Sequence, residues 1–400
     1  MAARNHSEIR RNNIRLLLRT IIQAAPISKR ELQARTSLSW GAVSTLISEL
    51  MQSGYVVSGS KQTTLVGRKP FEIDINADNH YIIGVDLNLE GICGVVTDLK
   101  GDILCERLRF FPIKNYNCIL STLYDLLDGL IHTEYGGKHI IGIGMAVQGM
   151  VDVEKEISGR LPQVEDWRDV PIGAMLEERY GCKVKLLHDP DALMIAEKNF
   201  GESYMKLASN ALLIRLDKSI GLSVMADKKI YRGACNRFAE FAHLPVEMEG
   251  PVCVCGNRGC LEEFSSGGGM ARRLIEAVNG GRETSVRLSE LSELGCKAIG
   301  IAARQGDALC RDLFRQAGKY LGFALSGVAN ILNPDLIVIY GTLTAYKSLF
   351  SAAMEEQLSA HLYNGTTAKI VYSKLGRNAA ARGVAFSVSE DFVNTLELYK

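Results

Sequence analysis

One pattern, met twice along the chain, limits the fold more than any other feature. Tyr81-Ile-Ile-Gly-Val-Asp86 reads as a buried strand, and Gly91-Ile-Cys-Gly-Val-Val-Thr-Asp98 and Asp102-Ile-Leu-Cys105 follow it as a meander. A helix over about residues 117–132 comes next, then the strand Ile140–Val147, a helix near 172–180, the strand Val184–Leu187 and a helix from Ala192 to Phe200. The scheme restarts with a hairpin, Ala211–Arg215 and Gly221–Ala226. It continues with helical stretches at 270–278 and about 298–330, and ends with the strand Asp335–Tyr340 before Gly341-Thr342. Two halves that each open on a hairpin and close on strand–helix units require helices layered on sheets, the α/β class. A length of 400 residues allows two or three such compact units.

Before residue 77 the chain obeys different rules. Lys and Arg outnumber Asp and Glu by eleven to three in residues 1–70, whereas acids outnumber bases by 42 to 35 in the remainder. A basic head on an acidic body suggests that only the head meets a polyanion. Ile14, Leu17, Leu18, Ile21 and Ile22 recur at helical spacing until Pro26. Ser28-Lys-Arg-Glu31 is a capping box that starts a second helix. Ser39 caps a third, with Val43, Leu46, Ile47 and Leu50 inward. Two helices joined by a tight turn make a helix-turn-helix, whose last helix would lie in the major groove of double-stranded DNA. Its outward face is Trp40, Gly41, Ser44, Thr45 and Ser48, small and hydroxylated side chains suited to base edges and phosphates. Tyr55–Val57 and Phe71–Ile75 read as strands around a loop that carries Arg68 and Lys69, a basic wing placed for phosphate or a minor groove. A helical protein-interaction module is the rival reading, and Trp40 could instead be a packing residue.

No apolar run nears the roughly 20 residues of a membrane span, and no signal-peptide core stands at the N-terminus, so a cytoplasmic location without membrane insertion is expected. Cys93, Cys105, Cys118, Cys182, Cys235, Cys296 and Cys310 are scattered and read as reduced thiols.

The body resembles the actin-like, ribonuclease-H-like duplicated fold of sugar kinases, which leaves a cleft between its lobes. Ala239-Glu240-Phe-Ala-His243 and Cys253-Val-Cys255-Gly-Asn-Arg-Gly-Cys260-Leu-Glu262 resemble the signatures of the ROK family of repressors, open reading frames and kinases. Gly142-Ile-Gly144, Gly149-Met-Val-Asp152, Tyr231-Arg-Gly233 and Asn330–Pro334 add to the likeness. The winged helix with Gly67-Arg-Lys-Pro70 is similar to that of the family's repressor branch. The resemblance implies a DNA-binding domain over residues 1–76 and a sugar-kinase-like sensor over 77–400, with a zinc knuckle at 243–260.

His243, Cys253, Cys255 and Cys260 supply one imidazole and three thiolates, a set that suits a closed tetrahedral structural Zn2+. The resemblance puts Asp189 at the kinases' base position, which follows Asn in the family and His188 here. It makes Asp189, Glu240, His243 and Glu262 contacts to a sugar, so that His243 would serve zinc and sugar together. The nucleotide elements depart from the family: Asp86-Leu-Asn-Leu-Glu90 replaces an Asp-x-Gly-Gly-Thr loop, Asp217-Lys-Ser-Ile-Gly221 a Gly-Thr-Gly loop, and Tyr340-Gly341-Thr342 a Gly-Gly turn. On the sugar side, Gln148 replaces a Pro, and Pro162-Gln163-Val164 a Pro-Asn-Leu-like segment.

The resemblance, with its altered nucleotide elements, implies a repressor of carbohydrate uptake or catabolism genes, without enzymatic activity. Its effector would be a sugar or sugar phosphate, with a protein partner as another reading, and it would act as a homodimer or higher oligomer. The rival from another class is an ATP-dependent hexose or amino-sugar kinase with an appended DNA-binding domain.

Overall fold

A computed structural model describes residues 2–58, 72–111, 113–134, 139–161, 164–234, 240–363, 366 and 368–396. Arg68 and Lys69, Pro162 and Gln163, Cys235 and Ala239 lie outside the described residues. The chain divides into two compact units, residues 1–196 with 377–400, and residues 197–376.

The first unit begins with α1 (Ala2–Ala24), longer at its start than the apolar periodicity alone requires, then β1 (Ile27–Ser28), α2 (Lys29–Thr36), α3 (Trp40–Gln52), β2 (Val56–Ser58) and β3 (Glu72–Ile75). The expected capping box is present: the Glu31 amide donates to Ser28 Oγ at 3.2 Å and the Ser28 amide to Glu31 Oε2 at 3.0 Å. Ser39 Oγ likewise accepts the Ala42 amide at 3.2 Å, which fixes where α3 starts. Strands β1, β3 and β2 form a small antiparallel sheet in that order.

The chain continues through β4 (His80–Asn88), β5 (Gly91–Thr97), β6 (Ile103–Phe110), α4 (Tyr116–Asp128) and β7 (His139–Val147). After these come β8 (Met150–Asp152), β9 (Ile157–Arg160), β10 (Arg168–Val170), α5 (Ile172–Tyr180), β11 (Lys183–His188) and α6 (Asp189–Phe200). One sheet takes the order β11-β7-β4-β5-β6, with the first three parallel.

The second unit holds α7 (Ser203–Leu207), β12 (Ala211–Leu216), β13 (Ile220–Ala226), β14 (Lys229–Ile230), α8 (Leu261–Ser265), α9 (Gly267–Asn279), α10 (Leu288–Leu294), α11 (Cys296–Gln305), α12 (Ala308–Leu332), β15 (Leu336–Tyr340), α13 (Ser351–His361) and β16 (Lys369–Tyr372). Its sheet runs β14-β13-β12-β15-β16, with β12, β15 and β16 parallel. The duplication read from the hairpins is therefore a duplication of sheet topology.

The C-terminal helix α14 (Ala379–Thr395) returns to the first unit. Successive residues of β4 face opposite sides of the sheet, as a pleat requires. Ile83 and Val85 join a core with α4 and α5, while Ile82 joins a core with Ala385 and Val388 of α14. Gly84 makes that second face possible, since a Cβ there would lie 2.0 Å from the Ala381 carbonyl oxygen. The core of Ile82 and α14 also contains Leu17, Leu18 and Ile21 of α1, Ile47 and Leu50 of α3, and Ile73 and Ile75 of β3. The helix-turn-helix and the first sheet thus share one continuous apolar interior.

Candidate functional site

The face of α3 assigned to DNA is built by that shared interior. Val43, Leu46, Ile47 and Leu50 are buried, so helical periodicity turns Trp40, Gly41, Thr45 and Ser48 outward. Trp40 is 53% exposed, and among the described residues it belongs to none of the hydrophobic cores. Ser44 is half-buried, and its hydroxyl accepts a bond from Lys29 Nζ at 3.1 Å. A second junction lies where the head meets β4. Tyr55 stacks on His80 with ring centroids 4.5 Å apart, and Phe392 of α14 sits 5.8 Å from Tyr55. Burial, then the neighbouring His139, lowers the His80 imidazole to a pKa of about 4. Lys100 Nζ lies 3.1 Å from Asp74 of β3 and 3.5 Å from Asp102, while Arg382 Nε of α14 donates to the Gly101 carbonyl at 2.6 Å.

In α/β sheets, ligands gather beyond the carboxyl ends of parallel strands. In the first unit those ends are Asp86–Asn88, Gln148 and His188-Asp189. The helix α6 starts at Asp189, three residues earlier than its apolar pattern suggests, which puts Asp189 and Asp191 in a first turn whose amides favour negative charge. Both are buried, and His188 Nε2 lies 3.5 Å from Asp189 Oδ1. The turn after β4 has its amides satisfied internally. Leu89 donates to Gln148 Oε1 at 3.0 Å, and Glu90 and Gly91 donate to Asn88 Oδ1 at 2.9 and 3.3 Å.

In the second unit, His243, Cys253, Cys255 and Cys260 converge, with one ligand atom from each lying within 4.8 Å of the others. Cys253 Sγ is 3.6 Å from His243 Nδ1, and Cys255 Sγ is 3.7 Å from Cys260 Sγ. The loop is shaped by its own backbone: Cys253 N donates to Asn257 O at 2.7 Å and Gly256 N to Cys253 O at 2.9 Å. Gly259 has φ +66°, and a Cβ there would collide with the Glu247 carbonyl, so no other residue fits. Burial raises the Cys253 and Cys260 thiols, so thiolates there would need a cation beside them. This cluster could hold a metal ion.

Glu262 follows at the start of α8. It is buried, accepts the Ile220 amide at 3.1 Å, and burial raises its carboxyl to a pKa of about 7. Glu240 is exposed, and its carbonyl accepts the His243 amide at 3.0 Å. Of the four sugar-assigned residues, Glu240, His243 and Glu262 belong to this unit and Asp189 to the first.

Residues 82–391 match the ROK family, and residues 10–57 match a winged helix-turn-helix DNA-binding pattern. The chain belongs to the ROK family. It is similar to the xylose repressor of Bacillus subtilis strain 168, 26% identical over 396 residues with 98% of each chain covered. Likewise, it is 26% identical to the DNA-binding transcriptional dual regulator NagC of Escherichia coli K12 over 377 residues, covering 93% of this chain and 91% of that one. The solved structure of a ROK family transcriptional regulator, a homolog of the E. coli MLC protein, shares the fold with a TM-score of 0.79 at 22% identity, covering 96% of this chain and 98% of that one. A ROK family glucokinase from Streptomyces griseus, in complex with glucose and AMPPNP, matches with a TM-score of 0.65 at 25% identity, over 76% of this chain and 98% of its own.

Three residues of this ROK chain gain a place that sequence reasoning did not give them. Asp191 is buried in the same first turn as Asp189, and its signal was simply its position two residues on. Asn88 and Gln148 cap the turn after β4, and only the departure of Gln148 from the family's Pro hinted at it. Among the described residues no helix is long and apolar enough to cross a membrane.

Proposed function

We propose that this ROK chain is a transcriptional repressor of carbohydrate uptake or catabolism genes, with residues 1–76 binding operator DNA and residues 77–400 binding a sugar or sugar phosphate. It works in the cytoplasm as a homodimer or higher oligomer. The observation that carries the reading is the shared interior: the exposed face of α3 rests on the same core as the sheet whose ligand end holds Asp189. Relatives named as repressors across nearly the whole chain agree with it. Trp40, Gly41, Ser44, Thr45 and Ser48 meet the major groove, and Arg68 and Lys69 the phosphates or minor groove. Asp189, Glu240, His243 and Glu262 bond the effector's hydroxyls. An effector shifts DNA affinity only through its different affinity for the two states of the protein.

His243, Cys253, Cys255 and Cys260 hold a structural Zn2+, which ties the loop around it. A tetrahedron built from Zn–S bonds of about 2.3 Å and a Zn–N bond of about 2.1 Å has edges of about 3.8 and 3.6 Å. The 3.7 and 3.6 Å separations in this chain fit those edges. His243 faces Cys253 through Nδ1, which leaves Nε2 for a ligand hydroxyl.

The chain transfers no phosphate. A kinase of this fold needs free turn amides for the nucleotide, and the amides of Leu89, Glu90 and Gly91 already have partners. Capturing genomic fragments on the full chain and repeating the capture with a panel of sugars tests the proposal, with ADP release assayed in parallel. The expected result is a small set of fragments, released by one sugar class without ADP formation. Unselective capture, or ADP release that depends on a sugar, overturns it.

A further inference from the structure

The carboxyl ends of β12 and β15 are neighbouring parallel strand ends, the place where an α/β sheet presents turn amides to a ligand. In this chain an ion of the protein's own stands there. Asp217 follows β12, and its Oδ1 accepts the backbone amide of Thr342 just after β15. Its Oδ2 accepts from Arg215 Nε at 2.9 Å, and both side chains are largely shielded from water. Gly341 admits the carboxylate: it has φ +123°, and a Cβ there would stand 2.8 Å from Asp217 Oδ1 and 2.4 Å from the Leu216 carbonyl oxygen. The turn around Asp217 is pinned from α9, since Gly267 N donates to Asp217 O at 2.8 Å and Gly268 N to Lys218 O at 2.9 Å.

We infer that Asp217 is a built-in anion that fills the phosphate seat at this strand end, so that the second sheet takes no nucleotide or other phosphate group there. A phosphate needs unpaired N–H donors and a cation with spare charge. Here the Thr342 amide is engaged, and the nearest guanidinium is neutralised by the same carboxylate. An incoming phosphate would also meet a negative charge at hydrogen-bond range, where like charges repel. The inference rests on the proposed reading of a chain without phosphate transfer and supplies a cause for it. Arg215 lies near the end of β12 and Asp217 just beyond the strand, and their side chains meet there at 2.9 Å.

The test uses the full chain and inorganic tripolyphosphate as probe, read by titration calorimetry and by melting. The wild-type chain should show neither heat nor a melting shift at millimolar probe. Asp217→Gly should bind the probe at least about tenfold more tightly, because an amide and a guanidinium are released together. Adding Arg215→Gln to that variant should abolish the gain. Asp217→Asn keeps the side chain's shape without its charge and should tighten binding several-fold, so it reads the same claim should the glycine variant fail to fold. Wild-type binding as tight as that of Asp217→Gly overturns the inference, as do folded Gly and Asn variants that bind no better than wild type. DNA capture by the wild-type chain is indifferent to either outcome and continues to test the repressor reading separately.

Discussion

The two five-stranded sheets repeat one topology, three parallel strands followed by two antiparallel ones, yet they have been fitted out differently at the ligand end and at the back. At the first sheet's ligand end the turn amides are capped by the neutral Asn88 and Gln148, and the acids Asp86, Asp189 and Asp191 are buried beside them. Its back carries α14, and through α14 the interior of the helix-turn-helix. The second sheet meets its amides with a charged pair, Asp217 and Arg215, and its core draws on its own helices α9, α11, α12 and α13. Duplication copied the strand order without copying the task. One half is joined to the DNA-binding helix, while the other carries the cysteine knuckle and is closed to phosphate.

If that division holds, perturbing one half should leave the other legible, and the two tryptophans make this measurable. Trp40 and Trp167 both lie in the first unit, whereas helical circular dichroism reports both units. Metal removal gives the largest expected effect. Stripping the knuckle with a strong chelator, or Cys255→Ser, should cost the second unit several kcal/mol. Dichroism should then fall at lower denaturant than tryptophan fluorescence, and coincident, unshifted transitions would break the comparison.

Gly84→Ala attacks the other half. Its Cβ would press on the Ala381 carbonyl at 2.0 Å, forcing α14 off the sheet at a cost of about 3 kcal/mol. The fluorescence midpoint should drop and DNA binding with it, while metal content stays at wild type. Retained DNA affinity would show that the head does not depend on the shared interior.

The junction at His80 sharpens the comparison through pH. Its pKa of about 4 lies below the ordinary 6.5, so on acidification the unfolded chain takes up a proton that the folded one refuses. First-unit stability should therefore fall as pH drops from 6.5 to 4, by up to about 3 kcal/mol from this residue. His80→Phe keeps a ring against Tyr55 and should flatten that slope in the fluorescence transition. An unchanged slope counts against the buried neutral imidazole.

The smallest effect belongs to Gly41→Ala. Nothing lies within 4 Å of the added methyl, so the helix should gain about 0.5 kcal/mol. If this face meets the major groove, operator affinity should fall although stability rises, and a variant that binds DNA as before would remove Gly41 from the interface.

Much of this was readable in the residues. The Ser28–Glu31 box, the Ser39 cap and the inward apolar set of α3 are local, and local rules placed them. The cysteine spacing announced a metal-sized cluster because three thiols and one imidazole satisfy a tetrahedron over a short loop. What escaped depends on distant packing. Nothing near Ile82 says that it shares an interior with Leu17 and Val388, and α14 itself has too little periodicity to declare a side. That Asp217 alters a phosphate loop was legible in the sequence, but its partner amide at Thr342, 125 residues away, was not.

The joining of the first sheet to the DNA-binding helix is tested most directly by fluorescence anisotropy on a captured operator fragment, titrated with each sugar class in the presence of magnesium ATP. The account predicts that one sugar class weakens operator binding by the wild-type chain without ADP release. It also predicts that Asp189→Asn keeps the sugar-free affinity but loses the response. Operator binding that no sugar alters, or sugar-dependent ADP release that Asp189→Asn abolishes, would contradict it.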